Sequence, residues 1–291
     1  SLAIAVGRQS ALDWLACGIA GVSEPVSKGI RAVANEEGGV EQSALFGGGA
    51  SPARMAALVN GTVSHALDYD DTHFAHIGHP SVAVLPAAFA MGQKLNRTLP
   101  EVLQAALLGM EVSVRIGMWL GRSHYQAGFH QTATAGAFGA GVAAGRLVGF
   151  DAQQMAQVLG LMSTRAAGQK AQFGTMGKPY NAGLAASSGV EVVQLVRAGF
   201  TANTQAMEGD YGFGAIHHGS GSTEAALAGL GRDWMIERVS YKFHACCHGL
   251  HAALEAGLLL DLAAPEISEL RVRTHPRWMK VCNQMAPDTG L

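Results

Sequence analysis

Charge, lysine, cysteine and strand-like pattern are all scarce in this chain of 291 residues. Only 14% of positions are charged, the formal net charge is −2, and six lysines are present. No basic run occurs, which excludes the phosphate-neutralising surface of a nucleic-acid binder. The four cysteines (Cys17, Cys246, Cys247 and Cys282) include an adjacent pair. They make a poor disulfide framework for a chain of this length, so reduced thiols and a cytoplasmic setting are expected. No uninterrupted apolar run reaches the ~18 residues that span a bilayer. The opening residues lack the basic segment and apolar core of a signal peptide. A soluble protein, free of membrane, is expected.

What the chain does have is apolar bulk, glycine and histidine. It is 48% hydrophobic with a mean hydropathy of +0.17, enough for one large core. Its 38 glycines follow no Gly-X-Y period, so with alanine they predict close helix–helix approach. Helical spacing covers 9–21, 53–60 after Ser51-Pro52, 80–94, 98–122 and 181–198. Asp151 and Gln154 form a capping-box signature for a helix toward Met162. Further helices are predicted from Ser222 or Thr223 to Gly229 and from His251 to Leu262. Only 267–274 alternates with period two, as a strand does. The predicted fold is mainly α: an all-helical catalytic domain over 1–264, then the truncated start of an α+β domain over 265–291.

Against this apolar background, residues 65–79 hold His65, Asp68, Asp70, Asp71, His73, His76 and His79. Ionisable groups are costly to cluster unless solvent, metal or ligand compensates them. Proton transfer is the first reading. A metal held by His73, His76 and His79 at i, i+3 and i+6 with the aspartates is another, although Gly78 and Pro80 break helical geometry there. A third is a set of groups satisfied among themselves and by loop backbone.

Three other segments carry chemistry. Phe243 to His251 offers Cys247, His248 and His251 as base or nucleophile, or small cysteines capping the following helix. Lys178 sits between a Gly-rich turn and a helix beginning near Asn181, which makes an anion site or a solvated surface lysine. The run 127–140 reads as tight helix packing, which leaves His130 unexplained.

In this order the four segments resemble the MmgE/PrpD family, whose members include 2-methylcitrate dehydratase, cis-aconitate decarboxylase and iminodisuccinate epimerase. The pattern H-A-L-D-[FY]-D-D-T-H with a later H-P-S is met by His65 to His73 and by His79-Pro80-Ser81. G-F-H-x-T-A is met by Gly128 to Ala133, and G-x-x-x-K-P-[FY]-x-A-G by Gly174 to Gly183. Gly199-Phe200-Thr201 and Cys282-Asn283 follow the same family.

The resemblance implies a large all-α domain, an α+β lid, homodimerisation, and catalysis with no cofactor, iron–sulfur cluster or metal. It carries a site over to Asp68, Thr72, His79, His130 and Lys178, plus His248 or His251. Tyr180 joins Lys178, His130 and Thr72 as an expected substrate contact. His76 competes with His79, because the 72–79 loop runs one residue longer than in the decarboxylase.

The reaction expected is a 2-methylcitrate dehydratase-like lyase or isomerase step on a small di- or tricarboxylate, with decarboxylation or epimerisation possible on the same residues. Lys178 would grip a carboxylate, and His79 or His248/His251 would move the proton. Asp68 would orient an imidazole, and Thr72 would hydrogen-bond the substrate. The alternatives are a metal-dependent hydrolase built on Asp68–His79 and a non-catalytic truncated homologue.

Overall fold

A computed structural model describes residues 1–260, 267–279 and 282. Helices dominate it: α1 (Leu2–Ala20), α2 (Pro25–Glu37), α3 (Ala53–Ser64), α4 (Ser81–Lys94), α5 (Leu99–Ala127), α6 (Gln131–Val148), α7 (Ala152–Arg165) and α8 (Gly177–Arg197). The short α9 (Phe213–Ile216) and α10 (Thr223–Leu227) precede α11 (His248–Leu258) and α12 (Pro276–Met279). A two-residue antiparallel pair joins β1 (Ser43–Ala44) to β2 (Ala50–Ser51).

Small residues set the packing. Helices α4, α6 and α8 bury alanine, glycine and valine along most of their length. Helices α3 and α8 touch backbone to backbone: a Cβ on Gly61 would stand 2.8 Å from Gly183 Cα, and one on Gly183 would overlap Thr62 and the Leu58 carbonyl. Helix α5 bends at Gly121, where φ is +72°, a value that glycine adopts without steric cost. By length and apolar composition α5 passes as a membrane span. Here it is a core helix, with Val102, Met110, Val114 and Leu120 buried.

Local signals set the helix boundaries with small corrections. Asp151 and Gln154 cap α7 reciprocally, and Thr98 and Glu101 do the same for α5. Pro52 stands at the N-cap of α3 rather than at N1, because Ser51 is drawn into β2 opposite Ser43. Helix α8 starts at Gly177 and α11 at His248, which places Lys178 and His248 inside first turns. In α1 the core side is Val6, Ala11, Trp14 and Cys17, whereas the periodic Leu12, Leu15 and Ile19 are exposed. The strand expected over 267–274 is absent: 267–275 is exposed chain with no ladder partner among the described residues. A strand needs neighbours to satisfy its backbone groups.

A buried ion pair on α5 holds the loop that follows α10. Glu111 meets Arg115 at 2.6 Å and accepts the backbone N–H groups of Met235 and Ile236. Arg115 donates to the carbonyls of Ala226, Ala228 and Asp233. The same loop leads through Ser240, paired with Thr72, to Lys242. Glu111→Gln leaves buried donors imperfectly matched and is expected to cost about 1–3 kcal/mol, read as a lower urea midpoint.

Candidate active site

The groups flagged in distant segments meet around Asp68. Its turn has φ +48°, a left-handed conformation that aspartate tolerates better than most residues. Lys178 Nζ lies 2.7 Å from Asp68 Oδ2, and Lys242 Nζ lies 2.7 Å from Oδ1 while also donating to the Asp68 carbonyl. All three side chains are buried. Two ammoniums therefore flank one carboxylate. They hold its pKa well below the ordinary carboxylate range against the opposing effect of burial.

His79 stands on the other side of Asp68, with Nε2 3.3 Å from Asp68 Oδ1 and Nδ1 2.8 Å from Asp70 Oδ2. Thr132 Oγ1 accepts its backbone N–H, which ties the loop to the start of α6. Just before it, Ile77 adopts φ +56°. That value is unusual for a β-branched residue and is held here by the His73–Gly78 bridge. Burial lowers the His79 imidazole to about 4, although Asp70 pulls it upward. Asp70 also meets His65 Nδ1 at 2.8 Å. Burial opposes its ionisation, but those two imidazoles hold it far below the usual carboxylate range. The imidazole-orienting role expected of Asp68 therefore falls chiefly to Asp70. Asp68 mainly organises the two lysines.

His130 caps α6, accepts a 3.2 Å hydrogen bond at Nδ1 from Asn181 Nδ2, and stacks at 6.0 Å on His65. Burial first, then His65 and Lys178, keep it neutral. Thr72 Oγ1 and His248 Nδ1 are 2.6 Å apart, and burial lowers His248 to about 4. The N-terminal ends of α4, α6, α8 and α11 thus supply His79, His130, Lys178 and His248 (directly or one to two residues beyond the end). Helix N-termini carry partial positive charge, so this convergence adds to the two ammoniums in favouring an anion.

The structure separates several candidates. His76 is buried against Gly117 of α5, beside the Ser113 backbone. The 72–79 loop turns it into the helices, and His79 takes the place beside Asp68. Tyr180 is 42% exposed. It follows Lys178 by two helical positions, about 200° around the axis, so it leaves the cluster. His251 lies behind His248, ring centroids 4.5 Å apart. Cys247 is the N-cap residue of α11, and a hydrogen bond with Cys282 draws its thiol below the ordinary range.

The His73/His76/His79 metal triad does not assemble, because His73 bonds the Met235 carbonyl. His65, Asp68, Asp70 and His79 do bring ligand atoms within 4.8 Å of one another. Both Asp68 oxygens, however, are already held by lysine, and a dication would face two ammoniums. That donor set does not fit a metal. The surface clefts beside Arg97 and Arg146, and beside Gln42 and Arg197, share no residue with the cluster.

Sequence reasoning missed Lys242 and Asn181, placed His65 in the cluster without assigning it to the site, and gave Asp70 a role only as a metal ligand. Scarcity was the one signal for Lys242: it is one of six lysines and adjoins the flagged 243–251 segment.

A second layer lies beneath the site. Asp71 accepts from Ser10 Oγ and Ser81 Oγ, each at 2.7 Å, and its N–H donates to Asp13 Oδ2. Burial, then the neighbouring carboxylates, push Asp13 up to about 7. Burial pushes Asp71 up to about 6 against the serine hydrogen bonds. A raised carboxyl contributes stability that is fully present below its unfolded value near 3.8 and lost as pH rises through its folded value. Asp13→Asn is therefore expected to gain stability over the parent as pH goes from 5 to 8. Paired urea melts at the two values check it.

Comparison with known proteins gives this chain relatives. Residues 2–226 match the MmgE/PrpD N-terminal domain. The chain is 32% identical over 272 residues to a cis-aconitate decarboxylase of Aspergillus terreus, covering 88% of this chain and 55% of that protein. A cis-aconitate decarboxylase-like protein oryM of Aspergillus oryzae is 27% identical over 262 residues, covering 84% and 54%. The human cis-aconitate decarboxylase is 31% identical over 171 residues, covering 57% and 35%. The chain spans about half the length of the first of these relatives.

Proposed function

The chain belongs to the MmgE/PrpD family, and from that premise we propose that it serves a lyase acting on a small tricarboxylate of the cis-aconitate class. One observation supports this most: two buried ammoniums and a neutral imidazole share one carboxylate where helix N-termini meet. The two ammoniums balance the carboxylates of Asp68 and Asp70, and the helix N-termini add partial positive charge that favours a substrate carboxylate. In a β,γ-unsaturated carboxylate, loss of CO2 breaks a C–C bond and leaves its electron pair in an allylic system that reaches a second carboxylate. Lys178, Lys242 and the helix ends hold that charge, and a proton then forms a C–H bond at the far carbon.

His79 suits the acid role. Carboxylates face both of its nitrogens while burial expels the proton, so added substrate charge raises its proton affinity as the substrate seats. Thr72 and His130 orient the substrate. Dehydration of 2-methylcitrate, the narrower expectation from sequence, shares the carbanion-like step. The names of the relatives favour decarboxylation over it. NMR of the full chain with cis-aconitate, 2-methylcitrate, citrate and iminodisuccinate in D2O tests the proposal. CO2 release from cis-aconitate with deuterium at one carbon is expected, and inertness toward the whole panel refutes it.

The same premise carries the proposals of a cytoplasmic homodimer and of a lid domain that begins at 265. The exposed Leu12 and Ile19 of α1, at 67% and 69%, support a partner surface. A monomeric sedimentation coefficient would refute the dimer.

A further inference from the structure

Decarboxylation consumes one proton per turnover, since hydrogen replaces CO2 on carbon. The acid at a buried centre must be recharged from solvent each time. The 72–79 loop and α11 supply a chain of side chains suited to this. Thr72 Oγ1 contacts His248 Nδ1 at 2.6 Å. The rings of His248 and His251 lie 4.5 Å apart, and those of His251 and His244 lie 5.2 Å apart. His244 Nε2 meets Glu255 Oε1 at 2.6 Å, and the Glu255 side chain is 63% exposed. His248, His251 and Glu255 fall at i, i+3 and i+7 of α11, one face of the helix. His251 Nε2 is buried and has no hydrogen-bond partner. The His251 ring packs against both other imidazoles, and fixed packing would call for that atom to be satisfied.

We propose that Glu255, His244, His251 and His248 form a line that carries protons from solvent to the active site. A solvent proton binds the Glu255 carboxylate and passes to His244. Each imidazole releases a proton from one ring nitrogen as it gains one on the other, and His248 delivers it to the acid at the site. The net transfer is one proton inward for each CO2 released, with no oxidant or reductant. A neutral imidazole both accepts and donates. Burial, Lys242, His251 and His79 keep His248 neutral against Asp68. The proposal rests on the lyase reading above.

Glu255→Gln and His244→Phe in the full chain test it, assayed with cis-aconitate at low buffer concentration. The expected result is kcat lower by about tenfold, less than the ~10²–10⁴ for removing the acid itself. KM should be unchanged, and added imidazole buffer should restore the rate. Wild-type kcat at low buffer, or a loss that imidazole does not restore, overturns the line. A second readout needs no turnover: 15N NMR of the histidines should show Glu255→Gln shifting the titrations of His251 and His248. Indifference of both also overturns it. If the parent chain turns over no tricarboxylate yet the coupled titrations persist, the lyase reading fails and the proton line stands.

Discussion

Lys178→Met in the full chain is expected to lower kcat/KM for cis-aconitate by about 10²–10³-fold, the range for removing one preorganised donor to a developing anion. The side chain is buried, sits in the first turn of α8, and is fixed by Asp68 at 2.7 Å. Its charge therefore needs no reorganisation when the carbanion forms. Lys178→Arg is not expected to restore the rate. The planar guanidinium is larger and does not fit where one ammonium and Lys242 share the two oxygens of one carboxylate. The loss should fall on kcat more than on KM, because Lys242 still attracts the substrate. A Lys178→Met variant that folds, as judged by its thermal melt, and turns over at the parent rate would remove the charge-holding role.

His79→Asn is expected to lower kcat by about 10²–10⁴-fold, the usual contribution of a positioned general acid or base. It should also change the acid limb of stability. The imidazole sits at about 4 in the folded protein against an ordinary 6.5. Its contribution is present above 6.5 and is lost as pH falls through about 4, because the unfolded chain binds the proton first. Asparagine does not titrate, so urea midpoints between pH 6.5 and 4 should fall less steeply in the variant. His76, lowered to about 3, has the same sign and serves as a control outside the site. His76→Asn should flatten the same limb while leaving KM for cis-aconitate unchanged. Equal slopes in parent and His79→Asn would show that the imidazole is not held neutral by burial.

The histidine–aspartate density of 65–79 was legible because it violates the low charge of everything around it. Lys178 could be read for a similar reason, as a scarce residue next to a helix start. Tyr180 stands apart from Lys178: linear proximity suggested shared use, but two positions along a helix turn a side chain to another face. His76 and His79 could not be separated by spacing, since a loop containing Gly78 and Pro80 has no period to count. Only the chain path, with Ile77 in a left-handed turn, sends one into the helices and the other to Asp68.

The sequence by itself determined the helical class, the cap at Asp151 and the concentration of ionisable groups, because each follows from local periodicity, local hydrogen bonding or composition. Tertiary structure alone decided that Lys242, 174 residues from Asp68 along the chain, would share its carboxylate, and that Asp70 would join Asp68 in holding the imidazole. Charge pairing acts through a few ångströms of space, and no local pattern encodes which distant segments the packing of small residues brings that close.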